Sequence, residues 1–199
     1  MGNSELAKIS ATKAAEICQH FQLGEAAKAL LRDDLTPRQY LDVLMEKQQF
    51  MDAVRFLAHA LPKQEAVWWG CLCARQVAGV DPPAKITAAL QAAEAWVANP
   101  SEDNRRAAMP AAEAAELATP AGCAAMAAFW SGGSLGPPNT PVVPPGEYLT
   151  AHAVGGAVML AAVLTEPEHA SEKYRTFLAQ GTEVAAGTNR WKETLGKKE

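Results

Sequence analysis

The sequence predicts an all-α protein, a compact orthogonal bundle of about eight to ten short helices in one domain spanning residues 1–199. Alanine, the residue with the best helix propensity, supplies about one residue in five. Apolar residues recur at helical spacing through most of the first 130 positions. No segment shows the period-two alternation or the Asn-Gly and Asp-Gly turns of β-hairpins. With 49% hydrophobic and 20% charged residues, the chain has the composition of a folded globular domain.

The first forty residues predict three short helices with recognisable starts. Thr12 is a suitable N-cap for the first, and the second follows a short break at Leu23 and Gly24. Thr36 caps the third, and Pro37 stands at its first helical position, where the missing N–H costs nothing.

Two helices are expected between residues 50 and 77. The segment 50–61 carries one apolar stripe, which is typical of an amphipathic helix at the edge of a core. After Pro62, nine consecutive apolar residues run from Ala66 to Ala74, so this helix should lie at the centre of the fold. A buried strand is the competing interpretation of such a run.

Three further helices are expected before residue 130. One covers 84–98, and the next begins after Ser101 as N-cap, with a kink or break predicted near Pro110. The last begins with Thr119 and Pro120, which repeat the capping pattern seen earlier in the chain.

The C-terminal third predicts a Gly- and Pro-rich strap at 131–147, a second central helix near 151–164 and an amphipathic outer helix at 167–191. The central helix is expected because its residues are apolar on every face. The segments 1–10 and 193–199 are expected to be frayed.

The strap opens with Ser131-Gly132-Gly133-Ser134, a sequence that invites comparison with catalytic and phosphate-binding loops. It lacks the lysine of a P-loop and the spacing of a nucleophile elbow, and no strand precedes it. We therefore predict that Gly132 and Gly133 end the preceding helix by adopting the left-handed conformation.

Overlapping Pro-x-x-Pro spacings at Pro138, Pro141 and Pro144 predict an extended, polyproline II strap. Such a segment can serve as a ligand for an aromatic-lined groove. The favoured alternative is that Val142 and Val143, together with Leu135, pack down and anchor a plain connection across the bundle.

Neither cysteines nor histidines predict a metal site. Cys71 and Cys73, two residues apart on a helix, point to nearly opposite sides and should fill the core. The four histidines show no ligand spacing and were expected at the surface or at caps: His20, His59, His152 and His169. No cofactor and no catalytic residue is predicted.

One histidine is a weak candidate for ligand contact. His152 stands at the mouth of the second central helix, beside the strap. A pocket walled by Trp130, Ser131, Tyr148 and His152 is therefore the alternative to a purely structural strap, and would make the protein a small-molecule binder or an enzyme.

Tryptophan and arginine pairs add two expectations about packing. Trp68 and Trp69 face about 100° apart on a helix, so at least one should reach the edge of the core. Arg105 and Arg106 are expected to form solvated ion pairs with Glu94 and Glu102.

Charge and hydropathy exclude several partners. The net charge is −4, and no basic run lies within the helical segments, so nucleic acid is not expected. The longest apolar run, 153–164, has 12 residues against the roughly 20 of a membrane-spanning helix. The first ten residues contain no apolar core of a secretory signal, which favours a cytoplasmic protein.

Four blocks of sequence resemble a bacterial family of all-helical domains of unknown function: FLAHALPKQEAVWWGCLCAR, AAEAWVANPSEDNRRAAMPAAE, AAMAAFWSGGSLGPP and YRTFLAQGTEVAAG. The resemblance covers about residues 10–190. It implies an association with type VI secretion gene clusters, and hence an adaptor or chaperone-like accessory whose partner is a secretion effector or spike component.

These observations favour a non-enzymatic helical module that binds another protein. The residues expected to contribute are Trp130, Ser131, Pro138, Pro141, Pro144, Tyr148 and His152. A structural subunit that oligomerises through the helix at 167–191 is a third hypothesis, and the oligomeric state is left open.

Overall fold

A computed structural model describes residues 6–189 and 191, which form ten α-helices, one 3₁₀ turn and no strand. The all-α compact bundle predicted from the sequence is confirmed. In chain order the helices are α1 (Ala14–Cys18), α2 (Glu25–Leu30), α3 (Pro37–Glu46), α4 (Phe50–Ala60), α5 (Lys63–Val77), α6 (Ala84–Ala98), α7 (Glu102–Ala115), α8 (Pro120–Phe129), α9 (Leu149–Val163) and α10 (Ala170–Ala186), with the 3₁₀ turn at Pro167–His169.

Most of the predicted helix starts are confirmed by their capping geometry. Thr36 forms a capping box at the start of α3, and Ser101 and Thr119 accept backbone N–H bonds at the starts of α7 and α8. Thr12 lies two residues before α1 and donates its hydroxyl to Glu16 instead of capping. The capping residues therefore fix where the longer helices begin.

The centre of the bundle contains three helices rather than the two predicted. The run in α5 is helical and buried along most of its length, so the strand interpretation is wrong. All ten residues of α8 are buried, and α8 packs against α5, α6, α7 and α9. The second predicted central helix, α9, is buried along most of its length up to Ala162, but Val163 and Leu164 at its end are exposed.

Trp68 and Trp69 are both fully buried, so the prediction that one of them reaches the edge of the core is wrong. The indole N–H of Trp69 donates to the carbonyl of Phe177, 2.8 Å away, which ties α5 to α10. Gly181 makes this approach possible, because a Cβ there would lie 2.6 Å from Leu57 Cδ2 and 2.7 Å from the Trp69 ring. The helix α10 consequently passes close over α4 and α5.

Of the kink or break predicted at Pro110, the break does not occur, and α7 continues past the proline to Ala115. Pro110 is exposed. Water can therefore satisfy the carbonyl of Arg106, which loses its helical donor at a proline four residues later.

Part of the N-terminal segment expected to fray is ordered against α10. Leu6 is buried, and the N–H of Lys8 donates to the carbonyl of Ala185 at 2.8 Å. Residues 1–5 and 192–199 lie outside the described residues, as does position 190.

One end of the bundle, which we call the strap end, carries the strap and the side chains that contact it. Here α4 and α8 end, while α5, α7 and α9 begin, as contacts from Lys63 and Arg105 to the start of the strap and from His59 to Tyr148 show. The strap between α8 and α9 therefore lies over this end, beside the α4–α5 corner.

Candidate functional site

Arg105 holds the start of the strap from inside the protein. Its side chain is buried, with the residue only 3% exposed, and lies 4.8 Å over the ring of Phe129. Nη1 donates to the carbonyl of Phe129 at 2.6 Å and Nη2 to that of Ser134 at 2.9 Å. Nε and Nη2 also donate to the Glu102 carboxylate at 2.7 and 2.8 Å. One guanidinium thus joins the start of α7, the end of α8 and the strap.

Two further cations hold the same segment, and we call Arg105, Arg106, Lys63 and Glu102 together the clamp. Arg106 donates to Glu102 at 2.7 Å and to the carbonyl of Gly136 at 3.0 Å. Lys63, at the start of α5, donates to the carbonyl of Ser131 at 2.9 Å. The first six residues of the strap are therefore held through backbone oxygens, a class of acceptor that any sequence supplies.

The arginine pairing differs from the expectation in two respects. Both arginines pair with Glu102, but Arg105 does so in a buried position rather than in solvent. Glu94 pairs with Arg75 of α5. The hydrogen bond from Arg105, followed by the charges of both arginines, lowers the pKa of Glu102 to about 2. The Glu102 carboxylate is therefore ionised over nearly the whole accessible pH range.

The strap closes on itself beyond the clamp. The N–H of Leu135 donates to the carbonyl of Val143 at 2.8 Å, and the N–H of Val143 donates to Ser134 Oγ at 3.1 Å. The chain reverses at Asn139, whose φ is 65°. Residues 134–143 are therefore a closed loop rather than a straight connection.

The reversal corrects the predicted polyproline II strap. A residue with positive φ cannot belong to a polyproline helix, so no continuous helix runs from Pro138 to Pro144. Pro138 lies on one side of the turn, and Pro141 and Pro144 lie on the other.

The valines expected to anchor the strap are exposed instead. Val142 is 74% and Val143 52% accessible, and Pro138, Pro141 and Pro144 are also exposed. Among the three proposed anchors, Leu135 alone packs against the core. The prediction that Val142 and Val143 pack down is therefore wrong, because the clamp holds the loop without them.

The prediction that Gly132 and Gly133 end α8 in the left-handed conformation is wrong. The helix already ends at Phe129, and of the two glycines Gly133 has a positive φ, 64°. A Cβ on Gly133 would lie 2.8 Å from both the Arg105 guanidinium and the Glu102 carboxylate. Glycine is required there because the backbone passes directly over the ion pair.

A cluster of imidazole and aromatic rings surrounds the point where the strap enters α9. His20 stacks on Tyr148 with ring centroids 4.5 Å apart, and Phe21 stacks on His59 at 4.7 Å. His59 also lies 5.0 Å from His152 and 5.7 Å from Tyr148. We call these five residues the histidine cluster; they join α4, α9 and the loop between α1 and α2.

His59 lies at the middle of the histidine cluster and is partly buried. Its Nδ1 lies 2.7 Å from the carbonyl of Arg55, so Nδ1 carries the proton and donates it. Its Nε2 is buried and has no hydrogen-bond partner among the described residues. Burial, with a smaller contribution from the charges of His152 and His20, lowers the pKa of His59 to about 4. His59 is consequently neutral at pH 7 and presents a free lone pair.

A cavity of about 330 Å³ adjoins the histidine cluster. Its lining is Phe21, Gln22, Leu23, Gly24, Arg55 and His152. Asp52 stabilises this wall by accepting from the N–H of Gly24 at 3.1 Å and from Arg55 at 3.3 Å. The cavity therefore offers both an imidazole and a guanidinium to a bound molecule.

Metal-ligating and nucleophilic side chains do not assemble around the histidine cluster in the described residues. No group of three or more His, Cys, Asp or Glu within residues 6–189 and 191 is placed to hold a metal ion. Cys71 and Cys73 are free and fully buried, and burial raises the pKa of both thiols. In that same part of the chain, no hydroxyl or thiol is hydrogen-bonded to His59 Nε2, so no nucleophile and base pair is formed.

The pocket proposed from the sequence is only partly assembled. Tyr148 and His152 do come together, one turn apart on α9. Ser131 contributes its carbonyl to Lys63, and Trp130 packs against the core at the end of α8. The wall that sequence proximity suggested is therefore divided between the clamp and the histidine cluster.

The contributions of His20, Phe21, His59 and Arg105 were missed. His20 and His59 lie 39 positions apart, and their approach depends on how α1 and α4 pack. Arg105 carried one usable signal: it stands four residues after the N-cap Ser101, on the face that α7 buries with Ala108 and Ala112. That spacing predicts a buried guanidinium.

Comparisons with known proteins identify a family but no characterised relative. A family model described as a family of unknown function, DUF6931, matches residues 40–185, somewhat less than the extent suggested by the sequence blocks. No curated protein and no solved structure matches the chain. Across residues 6–189 and 191, no single helix combines the length and hydropathy needed to cross a membrane.

Proposed function

The chain belongs to the DUF6931 family of unknown function, and we propose that it is a non-enzymatic module that binds another protein through the strap end. The observation that carries this proposal is a clamped loop with exposed apolar side chains. Arg105 is buried and holds the strap, whereas Val142 and Val143 are exposed to water. Two exposed valines gain nothing for folding. A loop that is already ordered loses little conformational entropy when a partner binds it.

The partner class expected from the sequence resemblance is a finer proposal. We propose a cytoplasmic adaptor or chaperone-like role, with an effector or spike component of a type VI secretion system as the partner. Its support is the resemblance of the four sequence blocks. The identity of proteins recovered with the chain tests it directly.

The test compares two exposed apolar residues at different places. Val142→Asp puts a charge on the strap, while Met51→Asp puts one on α4, where Met51 is 55% exposed. Each tagged protein is expressed in the source organism, and co-purifying proteins are quantified by mass spectrometry. We expect Val142→Asp to lose a specific partner that Met51→Asp retains. Equal recovery with both variants would refute binding through the strap.

A second candidate function is favoured by the buried lone pair of His59. An unpaired buried acceptor costs about 1–3 kcal/mol, so a bound molecule with an N–H or O–H donor would stabilise the protein. The cavity beside it, which is lined by its ring neighbours Phe21 and His152, would supply the space once a ligand reaches Nε2. The histidine cluster would then be a small-molecule site, as the alternative sequence hypothesis proposed for Tyr148 and His152.

This candidate is tested by ligand-dependent melting temperature across a metabolite panel, using wild type, His59→Phe and His169→Ala. His59→Phe keeps a ring in the stack but removes the acceptor, and His169 is an exposed histidine far along the chain. A ligand that stabilises wild type and His169→Ala but not His59→Phe supports the site. Identical behaviour of all three proteins argues against it.

A further inference from the structure

The second half of the strap has very little conformational freedom for a segment without helix or strand. Pro141, Pro144 and Pro145 each fix φ near −65°. The residues that precede prolines, Thr140 and Val143 among them, are restricted to extended or polyproline conformations. Every residue from 140 to 145 except Val142 is therefore restricted by a proline toward polyproline II geometry, beyond the reversal at Asn139.

This geometry determines which side chains share an edge. A polyproline II helix repeats every three residues with a rise of about 3.1 Å each, so Pro141 and Pro144 lie on one edge about 9 Å apart. Both are exposed, and Val142 between them is 74% accessible. Val143 is tied back by its own N–H and carbonyl to Ser134 and Leu135. The outward face is consequently formed by Pro141, Val142 and Pro144.

The same residues exclude recognition by strand addition. A strand pairs through the N–H groups of alternate residues, and the prolines at 141, 144 and 145 have none. The N–H of Val143 is already bonded to Ser134 Oγ. Between positions 141 and 145, Val142 alone keeps an N–H that could pair with a partner. A partner must therefore read this segment through side chains.

We propose that the strap is recognised by a partner groove lined with aromatic side chains, with Pro141 and Pro144 in successive pockets and Val142 against the wall between them. Grooves of this kind accept proline rings spaced by one polyproline turn. The clamp presents the ligand already ordered, so the partner pays little for fixing its conformation. This inference rests on the proposed function, since it specifies how the same strap is bound.

The experiment places a photocrosslinking amino acid, p-benzoylphenylalanine, at position 142 of the full chain in the source organism. Peptide mass spectrometry then identifies the partner residue that forms the adduct. Because the benzophenone triplet inserts into aliphatic C–H bonds, we expect the adduct on such groups next to the Trp, Tyr or Phe residues that line one groove. Pro141→Ala and Pro144→Ala should each lower the adduct yield about tenfold.

Pro137→Ala serves as the matched control, because it changes the same chemistry on the other side of the turn. We expect it to keep the yield within about twofold, and denaturant unfolding verifies that all three variants fold. An adduct on a partner strand edge, or one whose yield is insensitive to Pro141 and Pro144, overturns the groove but leaves binding through the strap intact. The absence of any adduct, together with partner recovery that Val142→Asp does not change, overturns the proposed function itself.

Discussion

Replacing Arg105 by alanine tests whether the clamp holds the strap. The substitution removes the N–H donors that bind two backbone carbonyls, those of Phe129 and Ser134. The hydrogen bond to the Phe129 carbonyl is buried. Leaving such an acceptor unpaired costs about 1–3 kcal/mol. The partly buried carbonyl of Ser134 adds to this, and the guanidinium stem no longer covers the Phe129 ring. Glu102 is half exposed and can be rehydrated, so the loss comes chiefly from the two carbonyls, and we expect the free energy of unfolding to fall by about 2–5 kcal/mol.

Arg106→Ala is the matched control, because Arg106 binds the same carboxylate from the partly exposed side. It loses one surface ion pair and one carbonyl bond to Gly136, which together amount to about 1 kcal/mol. Arg105→Lys should fall between the two, since one ammonium keeps the charge but cannot reach two carbonyls and a carboxylate together.

Equilibrium denaturation gives the free energies, and amide exchange at Leu135 and Val143 reports on the strap itself. In Arg105→Ala the exchange of both amides should accelerate before global unfolding, and the pKa of Glu102 should rise from about 2 toward its ordinary range. Equal losses of stability in Arg105→Ala and Arg106→Ala would refute the reasoning, as would unchanged exchange at these two amides.

Three other substitutions or treatments have definite outcomes. Gly181→Ala forces a methyl group against Leu57 and Trp69 and should lower the denaturation free energy by about 1–3 kcal/mol, whereas Gly156→Ala, with its nearest atom at an ordinary 3.5 Å, should be neutral or stabilising. Burial lowers the pKa of His59 to about 4, so the unfolded chain binds its proton first and stability should decrease as pH falls from 6.5 to 4. His59→Phe should flatten that dependence by less than about 3 kcal/mol after screening by water. Burial also raises the pKa of Cys18 to about 12 and keeps the other three thiols protonated, so a thiol reagent at pH 8 should modify the native protein only as fast as it opens; rapid labelling would contradict the described core.

Helix positions were largely predictable, because their determinants are local. Thr36, Ser101 and Thr119 each combine a capping side chain with a downstream helical pattern, and each begins a helix as expected. The central position of α8 was not recognised, because its ten residues are mostly small and make a short run. Burial of alanines depends on which helices pack against them, and periodicity carries no information about that.

The site was predictable only where its residues are neighbours in sequence. Tyr148 and His152 are one helical turn apart, so their juxtaposition followed from the helix alone. Their contacts with His20 and His59 depend on tertiary packing. The exposure of Val142 was misjudged because apolar residues are assumed to anchor a loop, whereas here Arg105 satisfies the backbone carbonyls and leaves the valines free.

The closed strap has a practical use for anyone who needs a reporter on this protein. Its tip at Pro137–Thr140 points into solvent, while the bonds between Leu135, Ser134 and Val143 seal the base beneath it. A fluorophore attached at Asn139 should therefore tumble with the whole bundle, and its anisotropy would report rotational diffusion of the entire particle. The increase in anisotropy on complex formation would then report the size of the bound partner.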